Sequence, residues 1–141
     1  MIVSFAWTSP ALLAGQKTCT RREWDPNYAA KFRAGRLVQA WDQSPRFRGR
    51  PVADVRLTAD AYWEPIILMP DTDYQAEGFE WLHAHPGVLS AKRFGTFSRE
   101  DFENWRDSAV KVWVIRFELV TIHETLEAWL ARRGRKVGAA P

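Results

Sequence analysis

The clearest pattern in the chain is the alternation from Lys111 to Val120, where Trp113, Ile115, Phe117 and Leu119 interleave with Val112, Val114, Arg116 and Glu118. A sustained period of two predicts a long strand with one face on a core. Shorter apolar and partly β-branched runs predict further strands at Ile2 to Trp7, Arg36 to Trp41 and Val52 to Leu57. The last two are separated by a Ser-Pro and Gly-Arg-Pro stretch that suits a loop and carries Arg46, Arg48 and Arg50.

Helix signals fall between these runs. Ser9 as N-cap with Pro10 at the first helical position opens a short helix that Gly15 ends. Asp25-Pro26 repeats the cap-plus-proline signal for a helix to about Arg33, closed by Gly35. Between Asp71 and His85 the spacing of Tyr74, Gly78, Trp81, Leu82 and His85 fits one helical face, bounded by Pro70 and Pro86-Gly87, and Glu77 lies on this helix. Ser98 and Asp101 have capping-box spacing for a helix to about Ser108, with Phe102, Trp105 and Ala109 on its buried side. Thr121 and Glu124 start a last helix, at about 122–134, docked by Leu126, Trp129 and Leu130; Arg132, Arg133, Arg135 and Lys136 surround its Gly134 stop, where cations suit the carbonyl end. The tail after Val137 is expected to be loose. Short strands interrupted by helices predict a single α+β domain around a curved or closed sheet, and 141 residues suffice for its core.

Composition narrows the function classes. Hydrophobic residues make up 46% of the chain, yet no apolar run approaches the roughly 20 residues a bilayer-spanning helix needs. The segment Met1 to Leu13 lacks a basic start and carries Thr8, Ser9 and Pro10 where a signal peptide would be continuously apolar. A soluble, cytoplasmic protein with no membrane partner is expected. Cys19 is the only cysteine, which excludes an internal disulfide and a multi-cysteine zinc site. His83 and His85 are two apart, on different helical faces, and His123 is remote in sequence, so neither a metal nor any other cofactor is expected. The net charge of +3 and the pI near 9.3 permit contact with phosphate but fall short of a dense nucleic-acid-binding face. Eight Trp, eight Phe and three Tyr supply surface for a core or for stacking on bases; Tyr62, Trp63, Phe79 and Trp81 are candidates for a stacking wall.

The chemistry concentrates in Gly15-Gln16-Lys17-Thr18-Cys19-Thr20-Arg21-Arg22. If residues 18 to 22 are extended, Thr18, Thr20 and Arg22 share one face and Cys19 and Arg21 the other. Lys17 would then point away from Thr20, and joins it only if the chain is still turning after Gly15. Lys17, Arg21 and Arg22 equally suit an edge strand, where charges discourage pairing. Alternatively, Thr20 offers a hydroxyl, Lys17 an amine, and Arg22 a fork of donors for a carbonyl, phosphate or carboxylate. A lysine acts as base only when partly neutral, which burial and a neighbouring Arg21 or Arg22 favour. Glu77 stands near Tyr74 and Trp81 on the docking face, and a glycine following it costs a helix about 1 kcal/mol against alanine, which a close approach would explain.

Gly15, Lys17, Thr18, Thr20 and Arg22 match, residue by residue, the GxKTxTxR signature of ASCH domains, and the chain resembles that family up to about Thr121, with Ala76-Glu77-Gly78-Phe79 and the Val112 to Leu119 strand in support. The resemblance implies a PUA-like fold, a small β-barrel with peripheral helices, over residues 1–141, the C-terminal helix lying outside it. It also implies one of two activities: an amidohydrolase acting on N4-acetylcytidine, a nucleoside substrate, or an RNA-binding or ribonuclease-like module. Carried over by position, the amidohydrolase residues are Lys17, Thr20 and Glu77; the substrate-binding candidates beside them are Arg22, Thr18 and Phe79. The chain departs from the family at Arg21, where an apolar residue is common, and in its basic last helix.

Overall fold

The computed structural model describes residues 1–88, 98–108 and 110–136. Six strands share one mixed sheet: β1 (Ile2–Ser4), β2 (Cys19–Arg22), β3 (Leu37–Trp41), β4 (Pro51–Leu57), β5 (Tyr62–Pro65) and β6 (Lys111–Ile122). β6 organises it. Its second half pairs with β4, from Leu57↔Phe117 to Ala53↔Ile122, while its first half pairs with β5 on one edge and with β2 on the other, through Thr20↔Ile115 and Arg22↔Trp113. β3 continues antiparallel from β4, and β1 runs parallel to β3. Irregularities at Ala40/Trp41 and Asp54/Val55 strengthen the twist. The sheet curls into a half-barrel that leaves β1 and β2 as its edges, with Phe5 stacked on Phe117 inside at 5.5 Å between centroids.

The α+β expectation holds, and the helices lie around this sheet: α1 (Ser9–Leu13), α2 (Pro26–Ala29), α3 (Asp73–Ala76), α4 (Phe79–Ala84), α5 (Arg99–Arg106) and α6 (Leu126–Lys136). One core cluster fills the half-barrel, around Phe5, Phe32, Val38, Val55, Ile115 and Phe117. A second, around Ala11, Ile66, Met69, Phe79, Leu82 and Phe102, seats α4 and α5 beside it. Val112 and Val114 are buried as well as Ile115 and Phe117, and on their side of β6 Arg116 bonds Asp73 of α3. From Val112 to Phe117 the strand is therefore covered on both faces.

Other expectations shift at their boundaries. β1 stops at Ser4, since residues Ala6–Thr8 tighten into a 3-10 turn, and Thr8 rather than Ser9 precedes α1. α2 ends at Ala29, although Asp25 caps it as expected, accepting from the Asn27 N–H at 2.8 Å. The capping box of α5 forms, with Asp101 N–H to Ser98 Oγ at 3.1 Å and Ser98 N–H to Asp101 Oδ2 at 2.8 Å. Thr121 belongs to β6. α6 begins instead after Thr125, whose hydroxyl accepts from the Ala128 N–H at 3.1 Å, and it runs through Gly134. Ala109 and the tail after residue 136 lie outside the described residues. Asp42, 2% exposed, anchors α6 by accepting from Trp129 Nε1 at 3.1 Å and Arg132 Nη2 at 2.6 Å. Burial would push this carboxyl up, yet the hydrogen bonds from Arg132 and the Arg50 N–H hold it below its usual range. Among the described residues, no helix is long and apolar enough to cross a membrane.

Candidate functional site

The largest departure from the expected elements builds the site. The stretch Asp71 to His85 is two helices, α3 and α4, broken at Gly78, whose φ is +91°. A Cβ at Gly78 would sit 2.7 Å from the Ala11 Cβ and 3.4 Å from that of Lys17, so α1 and the chain after it press against the break. Only glycine meets both demands. Glu77 closes α3, and the break leaves its carbonyl without a helical partner.

Lys17 supplies that partner. Gly15, at φ +74°, reverses the chain after α1, and β2 begins only at Cys19, so Lys17 is still in irregular backbone and reaches the same cavity as Thr20. Its ammonium nitrogen donates to the Glu77 carbonyl at 2.8 Å and to Glu77 Oε1 at 3.2 Å. The side chain is 1% exposed. Burial is the main influence and pushes the amine below its ordinary pKa, helped by Arg22 and opposed by the Glu77 carboxylate.

Thr20 and Arg22 share a face of β2, as strand geometry requires. Arg22 Nη1 donates to the Thr20 hydroxyl at 2.5 Å and to the Arg21 carbonyl at 2.8 Å, and Nη2 donates to the Ser4 carbonyl at 2.6 Å. Burial lowers its pKa, against the pull of Glu77. On the opposite face, Arg21 donates to Glu77 Oε2 at 2.7 Å, to Glu64 Oε1 at 2.9 Å and to Asp73. Burial disfavours the Arg21 charge, but Glu77 and the other carboxylates prevail and raise its pKa. Cys19 is buried beside them, its thiol pushed up to about 12 by desolvation and then by Glu77, so it stays protonated.

These groups surround a cavity of about 480 Å³, within the range of roughly 300–1,000 Å³ typical of small-molecule sites. Lys17, Thr20, Arg21, Arg22 and Glu77 make its polar side; Phe5, Trp7, Phe79 and Trp105 make its apolar side. Trp7 and Phe79 stack nearly parallel, 5.7 Å apart, and Trp105 meets Phe79 edge-on at 5.8 Å. The cavity opens beside the seam between β1 and β2, where the segment after β1 provides Ala6, Trp7 and Thr8.

Five of the six residues singled out from sequence, Lys17, Thr20, Glu77, Arg22 and Phe79, meet at this cavity. Thr18 does not: it is exposed and precedes the regular strand, and its backbone joins Ala76 and Phe117. Of the other stacking candidates, Trp63 packs edge-on against Trp113, Trp81 stacks on His85, and the Tyr62 hydroxyl accepts from Arg116 Nε at 3.0 Å. Sequence reasoning missed Trp7 and Trp105 as lining residues and Asp73 as a partner of Arg21. No pattern marks them, because the 3-10 turn after β1, α3 and α5 reach the site only through the tertiary fold. Among the described residues, no group of three or more His, Cys, Asp or Glu is placed to hold a metal ion.

No family profile matches the chain, and no curated protein matches it in sequence. Among solved structures, it is similar to protein EF3133 from Enterococcus faecalis, assigned to the family DUF984, with 18% identity and a TM-score of 0.52 over 85% of this chain and 76% of that one. It overlaps more loosely with ASCH from Zymomonas mobilis, at 12% identity and a TM-score of 0.42 over 95% of this chain and 77% of that one. The first likeness is one of fold.

Proposed function

We propose that this protein is an amidohydrolase that cleaves the exocyclic amide of N4-acetylcytidine or a related N4-acylated cytosine nucleoside, giving the cytosine nucleoside and a carboxylic acid, with no metal or other cofactor. The observation that carries the reading is the convergence of Lys17, Thr20 and Glu77 on one cavity, with the lysine buried and shifted toward its neutral form.

A threonine hydroxyl needs a base before it can attack an acyl carbon, and a neutral lysine is one. In the proposed reaction Lys17 takes the Thr20 proton as Oγ1 bonds to the acyl carbon. Negative charge develops on the former carbonyl oxygen, beside Arg22, which already donates to Oγ1 at 2.5 Å and keeps its charge throughout. Lys17 returns the proton to N4 as the C–N bond breaks, and water then releases the acid from the threonine ester. Glu77 holds the amine through its carbonyl and Oε1. Trp7 and Phe79 offer the flat apolar wall that a pyrimidine requires.

Ultraviolet-monitored hydrolysis of N4-acetylcytidine, with no added metal, tests the reading. Turnover that disappears in Thr20→Ala supports it; a folded protein that turns over no N4-acylcytidine refutes it.

A further inference from the structure

The Glu77 carboxylate is divided between two nitrogen donors. Lys17 approaches Oε1 at 3.2 Å, whereas Arg21 donates to Oε2 at 2.7 Å, so the shorter charge-assisted bond belongs to the arginine. The Arg21 side chain has no exposed surface. Its other terminal nitrogen donates to Glu64 Oε1 at 2.9 Å and to Asp73, and Asp73 is gripped in turn by Arg116 at 2.7 and 3.0 Å. A rigid planar fork engaged by three carboxylates has little freedom to shift, which fixes Oε2 in place.

The charge count around this fork agrees with the geometry. Glu64, Asp73 and Glu77 face the ion-paired Arg21 and Arg116, and Arg22, whose hydrogen bonds go to Thr20 and to the Arg21 and Ser4 carbonyls, adds a third positive charge within the field of Glu77, so three acids already meet three arginines before Lys17 is counted. A charged Lys17 would be a surplus buried cation, the costly arrangement in a low-dielectric site. If Arg21 were absent, the whole Glu77 carboxylate could turn to Lys17 and stabilise its ammonium.

We infer that Arg21 is a positioning residue for the proposed hydrolysis, anchoring one oxygen of Glu77 so that the other steers the Lys17 amine without giving it the full carboxylate charge. The inference rests on the reading of Lys17 as the base. It also accounts for an arginine at this place in β2: an ammonium on a lysine stem has no planar fork with which to hold Glu77, Glu64 and Asp73 together.

The test is a titration of the full chain labelled with ¹³C at the lysine Cε, followed by NMR, with the Lys17 signal assigned by its loss in Lys17→Arg. In Arg21→Gln the Lys17 midpoint should rise by about one pH unit or more, a tenfold loss of neutral amine at a given pH. The rising limb of kcat/KM for N4-acetylcytidine should move with it, while KM changes by less than about threefold. Arg21→Gln strands buried carboxylates and so costs stability, and the deciding variant is therefore Arg21→Gln/Asp73→Asn, which removes one charge of each sign. There the midpoint still rises, because Oε2 has lost its arginine donor and keeps only the weak contact of the Cys19 thiol at 3.8 Å. A midpoint in the folded double variant within about 0.3 pH unit of the parent overturns the inference, since Arg21 then only neutralises acids. The titration is read without substrate, so a lack of N4-acylcytidine turnover would remove the proposed activity and leave this outcome to be judged by itself.

Discussion

The Arg22 guanidinium donates to the Ser4 carbonyl at 2.6 Å, across the seam where β2 and β1 form the two edges of the half-barrel. One side chain thus spans a gap that a backbone ladder would close in a complete barrel, while the same group holds the Thr20 hydroxyl. The proposed binding chemistry and closure of the fold meet in Arg22. Arg22→Lys keeps the charge but loses the fork, and hydrogen bonds from charged groups contribute about 1.5–3 kcal/mol. Urea unfolding should report a loss of that size, together with reduced turnover. Unchanged stability would mean that the Ser4 bond does not hold the seam.

Thr20 and Lys17 should fail together in turnover and separately in stability. Lys17→Met keeps the bulk of a buried side chain while removing the base, and general-base catalysis contributes about 10²–10⁴ in rate. Thr20→Ala should lose activity to a comparable extent with an unfolding midpoint near that of the parent, and Thr20→Ser should keep part of it. Near-normal kcat in Thr20→Ala would eliminate the nucleophile assignment and pass the attack to water.

The pH dependence follows from the lowered pKa of Lys17. In the proposed reaction the working form is the neutral amine, so kcat/KM should rise with pH through the folded pKa of Lys17 and level off above it. Stability should move in the same direction. Between that lowered pKa and the ordinary value of 10.5, the unfolded chain binds a proton that the folded chain does not, so the unfolding free energy gains with rising pH across this window. Lys17→Met should abolish both the kinetic limb and this part of the stability rise. A limb that persists in Lys17→Met belongs to another group.

Much of this site was legible because its parts are local. Alternation along residues 18 to 22 placed Thr20 and Arg22 together, and the glycine at position 15 gave the condition under which Lys17 would join them. Glu77 stood out through its aromatic neighbours and Gly78. What sequence periodicity hid was the helix break itself: Tyr74, Trp81 and Leu82 keep helical spacing on both sides of Gly78, so two short helices resemble one. Arg21 was equally hidden, since its partners Glu64, Asp73 and Glu77 come from three other places in the chain and meet it only through the sheet and α3. The apolar run Ile2 to Trp7 reads as one strand, yet the 3-10 turn after Phe5 carries Trp7 to the cavity.

Gly78 can be tested directly. Alanine there must adopt a φ near +91° and place its Cβ 2.7 Å from that of Ala11. Left-handed backbone alone costs a non-glycine residue of order 1–3 kcal/mol, so Gly78→Ala should lose about 2 kcal/mol or more in urea unfolding and lower kcat by displacing Glu77. Adding Ala11→Gly removes the contact but not the strain, and should recover part of the loss beyond simple additivity. Strict additivity of the two changes would show that the close approach is not what requires glycine.

The last prediction separates a nucleoside enzyme from an RNA-binding module by their response to salt. The cations available for a phosphate track are fewer than the sequence suggests. Arg132 is engaged by Asp42 and Glu124, Arg50 lies 3.9 Å from Glu124, and Arg21 and Arg116 are committed to buried carboxylates, while Arg46 and Arg48 stand exposed on the loop before β4. RNA held through several phosphates releases counterions and loses affinity steeply as salt rises, whereas a nucleoside held by stacking and a few buried donors scarcely responds. Turnover of N4-acetylcytidine should therefore change less than about threefold between roughly 50 and 200 mM salt, against a loss of ~10³ or more for a binder making six or more phosphate contacts. Measuring nucleoside turnover and the binding of a short RNA across that range decides between the two. Tight, strongly salt-dependent RNA binding without nucleoside turnover would sink the enzyme reading and turn attention to the arginines of the β3–β4 loop.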